Sequence, residues 1–374
     1  MAKTKFYTLK NILEKCPDAK YYVIFGERSN GKTFAVEEYA IDDYLKRGKQ
    51  LAIIRRYKED FRGKHGQQEF DNFLANPTRG NIIEKKTDGK WNGVRYFRSK
   101  WYFTHFNEDR GEIDFVDDKP FAVAIALTDD EHEKSNPYPE VETILFDEFI
   151  SRDYYLRDEF IHFQSILSTI IRLRDSVKIF MCGNTINKYN PYFAEMGLKR
   201  AKNMKKGTID IYEYGDSALR VAVEYSDFPS KKGKKSDVYF AFDNPKLKMI
   251  TQGDWEIAIY PHCPVESINP KDIQFTYFIV FDEEILQCVI VEIGDLAFTY
   301  IHRKTTPLKD SKNDDCIIYQ EEYDPRPNYA RNILKPVNAI QQIIASFYRS
   351  EKVFYQSNEV GETMRNYLQW CKTN

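Results

Sequence analysis

The sequence predicts an α/β protein: a parallel sheet flanked by helices over residues 1–205, a small linker region over 206–255, and an α+β domain over 256–374. Three observations point there. First, short apolar, β-prone runs recur at Tyr21–Phe25, Leu51–Ile54, Phe121–Leu127, Val141–Phe146 and Val177–Cys182, with an inserted hairpin expected at Val94–Phe103. Second, helical spacing separates some of them, from Lys32 to Leu45 (Phe34, Val36, Tyr39, Ala40 and Ile41 on one face) and over Glu159–Leu173. Buried strands that alternate with helices build a parallel sheet, because each crossover must carry the chain back to the same end. Third, the character changes after Leu198 to a basic, weakly patterned stretch. Strand-like runs then return at Trp255–Tyr260, Phe275–Phe281, Ile285–Val291 and Ala297–Ile301, with helical periodicity at Val337–Tyr348 and Glu359–Cys371.

A chain of 374 residues can bury two cores, and 42% hydrophobic with 30% charged residues suits a folded, water-soluble protein. No apolar run approaches the roughly 20 residues of a membrane span, and no signal-peptide core follows Met1, so a cytosolic protein is expected. The six cysteines include no C-x-x-C pair, which argues against a zinc site or a disulfide framework. The net charge of −2 is not that of a nucleic-acid binder as a whole. Two local basic patches remain as candidates for DNA contact: Lys199, Arg200, Lys202, Lys205 and Lys206, then Lys231, Lys232, Lys234 and Lys235. Charge runs of this kind also arise as plain solvated loops.

The most informative segment is Gly26-Glu27-Arg28-Ser29-Asn30-Gly31-Lys32-Thr33. It follows a strand and opens a helix, the setting a phosphate-binding loop requires. Glycines at 26 and 31 let successive N–H groups turn inward, where side chains would block the phosphates. Lys32 supplies charge to the β and γ phosphates of ATP, the Thr33 hydroxyl is a Mg²⁺ ligand, and the new helix adds the positive end of its dipole. Ile144-Leu145-Phe146-Asp147-Glu148 is the partner motif, an apolar strand ending in two acids. Asp147 would hold Mg²⁺ through water and Glu148 would activate or position the attacking water. An acid pair of this order favours the ATPase branch with its catalytic glutamate beside the metal acid, a P-loop NTPase of ASCE, RecA-like type. At the end of the run 178–185, Asn184 or Thr185 is placed to sense the γ-phosphate; an ordinary turn cap reads the same way.

With those residues placed, the chain resembles the DNA-packaging (encapsidation) ATPases of small short-tailed bacteriophages with protein-primed genomes. The resemblance rests on Glu133-Lys134-Ser135-Asn136-Pro137-Tyr138-Pro139 running into 141–150, on Arg28, on Arg55-Arg56-Tyr57-Lys58 and on Asn190-Pro191-Tyr192-Phe193. It covers about 21–195, and the remainder only in order and length. It implies a ring motor, expected to be pentameric, seated on the capsid portal in the cytoplasm of an infected bacterium and driving double-stranded DNA inward; a structural RNA on the portal is a further partner it admits. It also implies that neighbouring subunits complete each nucleotide site, with Arg172 as the trans-acting finger, Arg174 as a rival for that role, Lys134 as the trans-acting lysine, and Arg28 on the nucleotide of its own subunit. For residues 256–374 it implies a ribonuclease-H-like domain with a vestigial nuclease site. Asp282, Glu292, Asp295 and Asp324 are the acids available there, and Asp282-Glu283-Glu284 reads equally well as a hairpin turn. Two other readings are a different ring ATPase, such as a helicase, and an assembly protein that binds ATP without appreciable turnover.

Overall fold

The computed structural model describes residues 6–107, 109–130, 136–151, 155–215, 219–227, 258–308 and 316–373. The chain forms two compact units, Met1–Trp255 and Glu256–Asn374.

The first unit is built on a ten-stranded, parallel-rich sheet. After a short helix, α1 (Lys10–Lys15), come β1 (Tyr21–Gly26), α2 (Lys32–Arg47), β2 (Gln50–Arg55) and α3 (Lys64–Gln68). An antiparallel insertion follows: β3 (Gly93–Phe97), β4 (Lys100–Asn107) and β5 (Glu112–Val116). Then come β6 (Ala122–Ala126), β7 (Val141–Asp147), β8 (Lys178–Asn184), β9 (Thr208–Tyr214) and β10 (Leu219–Ser226). The strand order is β3-β4-β6-β2-β7-β8-β1-β10-β9, with β5 on β4. From β6 to β10 every neighbouring pair is parallel.

The apolar runs explain this centre. In β1, Tyr22 and Ile24 enter one core while Val23 and Phe25 enter the other, so both faces of the sheet are covered. Strands buried on both faces read as continuous hydrophobic runs, which is why they are conspicuous in the sequence. Helix α2 begins directly after Gly31 (φ 94°) and ends at Gly48 (φ 71°), whose N–H donates to the Tyr44 carbonyl, a glycine stop. Among the described residues, no helix is long and apolar enough to cross a membrane.

The linker expected over 206–255 is corrected in its first part. Residues 208–214 and 219–226 form β9 and β10, and β10 pairs in parallel with β1 along the whole of that strand. Arg220 and Glu224 interrupt the apolar run of β10 and hide it from a pattern search. Glu224 is tolerated because the Tyr7 hydroxyl donates to its Oε2 at 2.7 Å in a buried bond. The basic run Lys231, Lys232, Lys234 and Lys235 lies outside the described residues, as does Lys134.

The second unit has a six-stranded sheet of β11 (Ile273–Phe281), β12 (Glu284–Ile293), β13 (Leu296–Arg303), β14 (Ile318–Gln320), β15 (Tyr329–Ala330) and β16 (Val353–Tyr355), in the order β15-β14-β11-β12-β13-β16. Helices Ala339–Arg349 and Asn358–Thr373 close it. The first three strands form an antiparallel meander, and β14 runs parallel to β11. The strand expected at Trp255–Tyr260 is not formed over its described part, 258–260. Asp282 and Glu283 (φ 55° and 66°) make the two-residue turn between β11 and β12, as in a type I′ hairpin.

Candidate active site

Because β1, β2, β7 and β8 run parallel and in register, their last residues Gly26, Arg55, Asp147 and Asn184 lie along one end of the sheet. A cleft of about 1770 Å³ opens there, lined among others by Arg28, Lys32, Glu69, Asp147, Glu148 and Asn184. Gly26 has φ 155°, and a Cβ on it would lie 2.9 Å from the Ser226 carbonyl oxygen, so the loop's first position admits only glycine. Strand β10 thereby forms one wall of the loop, and Asn30 Nδ2 donates to Ser226 Oγ at 3.3 Å.

Lys32 is buried and its ammonium is cradled by oxygens: it donates to the Glu27 carbonyl at 2.7 Å, Asn30 Oδ1 at 3.1 Å and Asn184 Oδ1 at 3.5 Å. Burial pulls its pKa down to about 8, against the pull of nearby negative groups including Asp147 and Glu27. Thr33 Oγ1 donates to Asp147 Oδ1 at 2.8 Å, bringing together two hard oxygen ligands from segments 114 residues apart. Hard oxygens at the end of a phosphate-sized loop suit Mg²⁺. Glu148 is the next residue, exposed, in the left-handed region at φ 57°. A non-glycine residue held there carries strain of a kind that collects at functional sites.

Residues outside the motifs hold this geometry. The Arg55 guanidinium bridges Asp147 Oδ2 (3.2 Å) and Glu69 Oε1 (2.9 Å). Burial, only partly opposed by Arg55, lifts the Glu69 carboxyl to about 7. Glu37, one turn along α2 from Thr33, is pushed well above the usual carboxylate range by burial and then by Glu69 and Asp147. Arg56 makes a buried two-pronged pair with Glu159, at 2.7 and 2.8 Å, and also donates to the Glu148 and Phe149 carbonyls at 3.4 and 3.1 Å. Glu159 is completed by the Tyr192 hydroxyl at 2.7 Å and the Leu156 N–H at 2.7 Å. The turn that presents Glu148 is thus pinned from behind. Arg55 and Arg56 stand out in the sequence as paired charges at the end of a buried strand and through the resemblance; Glu37, Glu69 and Glu159 carry no signal separating them from surface acids.

Gly26, Ser29, Asn30, Gly31, Lys32, Thr33, Asp147, Glu148 and Asn184 all gather at this end, and exposed Arg28 lines the same cleft. Arg172 does not. It terminates the Glu159–Ile171 helix, six residues before the start of β8, at the end of that strand opposite Asn184. The length of β8 alone separates them by roughly 20 Å. Arg172 is exposed, and beside it Leu173 is 106% exposed. Arg174 is engaged, donating to the carbonyls of Pro139, Val141, Tyr138, Ile170 and Ile171. In the basic patch, Arg200 pairs with Asp210, donates to the Ile211 carbonyl and stacks on Tyr212, so it is tied into its own unit. Lys202, Lys205 and Lys206 line a shallow pocket with Lys188 and Tyr225, and Lys199 begins the adjoining 3₁₀ turn.

The fold matches the Phi-28 gp11 DNA packaging motor (20% identity, TM-score 0.51) and the packaging motor assembly of bacteriophage Phi-29 (20% identity, TM-score 0.53), each with 99% of both chains covered. The DNA packaging proteins of Bacillus phages PZA and phi29 are each 28% identical over 237 residues, 63% of this chain. The matched region spans 61% of those relatives' length. The podovirus DNA encapsidation protein (Gp16) family matches residues 1–78 and 95–305, which is most of the chain and includes every element of the cleft. The chain belongs to the podovirus DNA encapsidation protein family.

Proposed function

We propose that this protein is an ATP-driven motor that moves double-stranded viral DNA into a preformed capsid. The observation that carries the reading is the convergence of Lys32, Thr33, Asp147 and Glu148 at one end of a parallel sheet, in a member of an encapsidation family. The first unit acts as a P-loop ATPase. The loop N–H groups and Lys32 hold the β and γ phosphates, while Thr33 and Asp147 would hold Mg²⁺. An ion held there would supply positive charge to offset that of the phosphates. Glu148 takes a proton from the water that attacks the γ-phosphorus, ADP departs, and Asn184, already 3.5 Å from the Lys32 ammonium, is placed to sense the change.

Arg172 cannot serve its own cleft across the sheet, which favours action on a neighbour's nucleotide, and the fully exposed Leu173 beside it fits a surface covered in a ring. Arg174, anchored to five carbonyls, is a brace. Lys134 is the second trans-acting cation of this reading, and a pentamer on the capsid portal, with or without a structural RNA, is its assembly. Its place is the cytoplasm of the infected host, with transient attachment to the capsid. In the second unit, the order β13-β12-β11-β14-β15, antiparallel and then parallel, supports a ribonuclease-H-like domain.

The test is Glu148→Gln. ATP binding should persist while DNA-stimulated turnover falls by at least ~10²–10⁴-fold, the usual worth of a general base. Turnover within a few-fold of wild type would remove Glu148 from the reaction. Binding with negligible wild-type turnover would favour the assembly-protein reading instead.

A further inference from the structure

The β3–β4 hairpin is unlike the rest of the first unit's surface. Its tip, Arg98-Ser99, is a two-residue turn with both residues at positive φ (48° and 59°), closing the pair Phe97↔Lys100. Side chains alternate along a strand and cross-strand partners share a face, so Arg95, Phe97, Lys100 and Tyr102 lie on one side. Phe97 is 47% exposed, and the Arg95 and Arg98 guanidiniums stand 5.5 and 5.1 Å from its ring centre. An exposed ring between two arginines fixes where their charge is presented.

That charge is unopposed. Other surface arginines of this unit have acidic partners: Arg47 pairs with Asp43 and Glu142, Arg79 with Glu38, and Arg220 with Asp18 and Glu213. Arg95, Arg98 and Lys100 make no ion pair among the described residues. The base of the hairpin, by contrast, is held rigidly. Trp101 is buried and its indole donates to the Gly66 carbonyl at 2.7 Å, and the Gln67 amide clamps the β3 backbone through Val94 O (3.0 Å) and Tyr96 N (3.1 Å). Three exposed cations on a braced hairpin, with no acid paired to them among the described residues, call for an anionic partner, and a repeating phosphate backbone fits a row of them.

The position is informative too. The Ser99 carbonyl accepts from Ala124 N–H at 2.8 Å, and Lys100 pairs with Val123, so the tip stands beside the second half of β6. Since β6 runs parallel to β2 and ends beside Arg55, the tip faces the same end of the sheet as the cleft. It lies six strands from β1, about 29 Å at normal strand spacing.

We infer that the Arg95–Lys100 hairpin is a contact for the phosphate backbone of double-stranded DNA, at the cleft end of the sheet and separate from both basic patches downstream. The inference rests on the packaging reading and gives it a specific surface. The experiment measures binding of the full chain to a short labelled DNA duplex, without nucleotide, across a salt titration. The variant is Arg95→Ala/Arg98→Ala/Lys100→Ala, with circular dichroism and ATP binding as controls for folding. Loss of three phosphate contacts should lower the log–log salt slope by about 2 to 3 and weaken low-salt binding at least ~10-fold. Should the triple variant denature, the single change Arg98→Glu at the turn is read in its place, with the same direction expected. An unchanged slope and affinity overturn the hairpin assignment while leaving the motor reading intact. A loss confined to an RNA duplex of equal length also overturns it, in favour of an RNA contact. A wild-type chain that binds no DNA duplex at any salt overturns both.

Discussion

Acids are present at both the cleft of the first unit and the turns of the second, yet only the first brings them together. In the parallel sheet every strand ends at the same edge, so residues following β1, β2, β7 and β8 meet there: Lys32, Arg55, Asp147 and Asn184, joined by Glu37 and Glu69 from helical segments. In the meander β11–β12–β13, successive turns fall at opposite ends. Asp282 sits at one end of β12, and Glu292 and Asp295 flank the turn at the other, roughly 30 Å away over a ten-residue strand. Asp324 is held by Arg326 through a 2.8 Å pair. A two-metal centre needs carboxylates converging on ions about 4 Å apart, and these four do not share a place. Strand direction, rather than acid content, separates the two regions.

The strongest way to break this contrast is to treat the first unit as self-sufficient. If a neighbour completes the cleft, Arg172→Ala should cut turnover by ~10³-fold or more with folding unchanged. Mixing it with Lys32→Ala subunits should then give the activity pattern of complementing neighbours. Arg174→Ala should instead lower the melting temperature, because five carbonyls lose their donor. Equal turnover loss without destabilisation for both would end the distinction.

A smaller effect separates buried from exposed pairs. Glu159→Ala leaves Arg56 buried without its partner and should destabilise by about 3–5 kcal/mol in denaturant unfolding. The Asp324–Arg326 pair is exposed, and Asp324→Ala should leave the midpoint unmoved. Similar shifts would mean that the Arg56–Glu159 pair is not the clamp behind Glu148.

The mildest prediction concerns pH. Burial holds the Lys32 pKa at about 8 in the free protein, so its ammonium is present below that pH and is lost as pH rises through it. Phosphate binding needs the charged form. The dissociation constant for ATP should be flat below pH 8 and then rise about tenfold per pH unit, with proton uptake in calorimetry. A flat profile through pH 9.5 would place the binding charge on another group.

The sequence alone made the central strands, helix α2, the Gly26–Thr33 loop and the Asp147-Glu148 pair legible. Each depends on neighbours within a few residues: backbone freedom at glycine, apolar continuity in a strand covered on both faces, or an acid placed where a strand stops. Other features took form only when distant segments met. Strand β10 became the wall of the loop, although Arg220 and Glu224 break its pattern, because it pairs with β1 while Asp18 and Glu213 take Arg220 and Tyr7 takes Glu224. Arg56 found Glu159 across 103 residues, and Arg55 found Asp147 across 92. Arg172 and Arg174, two residues apart, were likewise told apart only by contacts: the Arg174 guanidinium reaches the carbonyls of 138–141, and Arg172 stays exposed. A local pattern can state what a backbone is able to do; which charge is buried, paired or left exposed is decided by the contacts that folding creates.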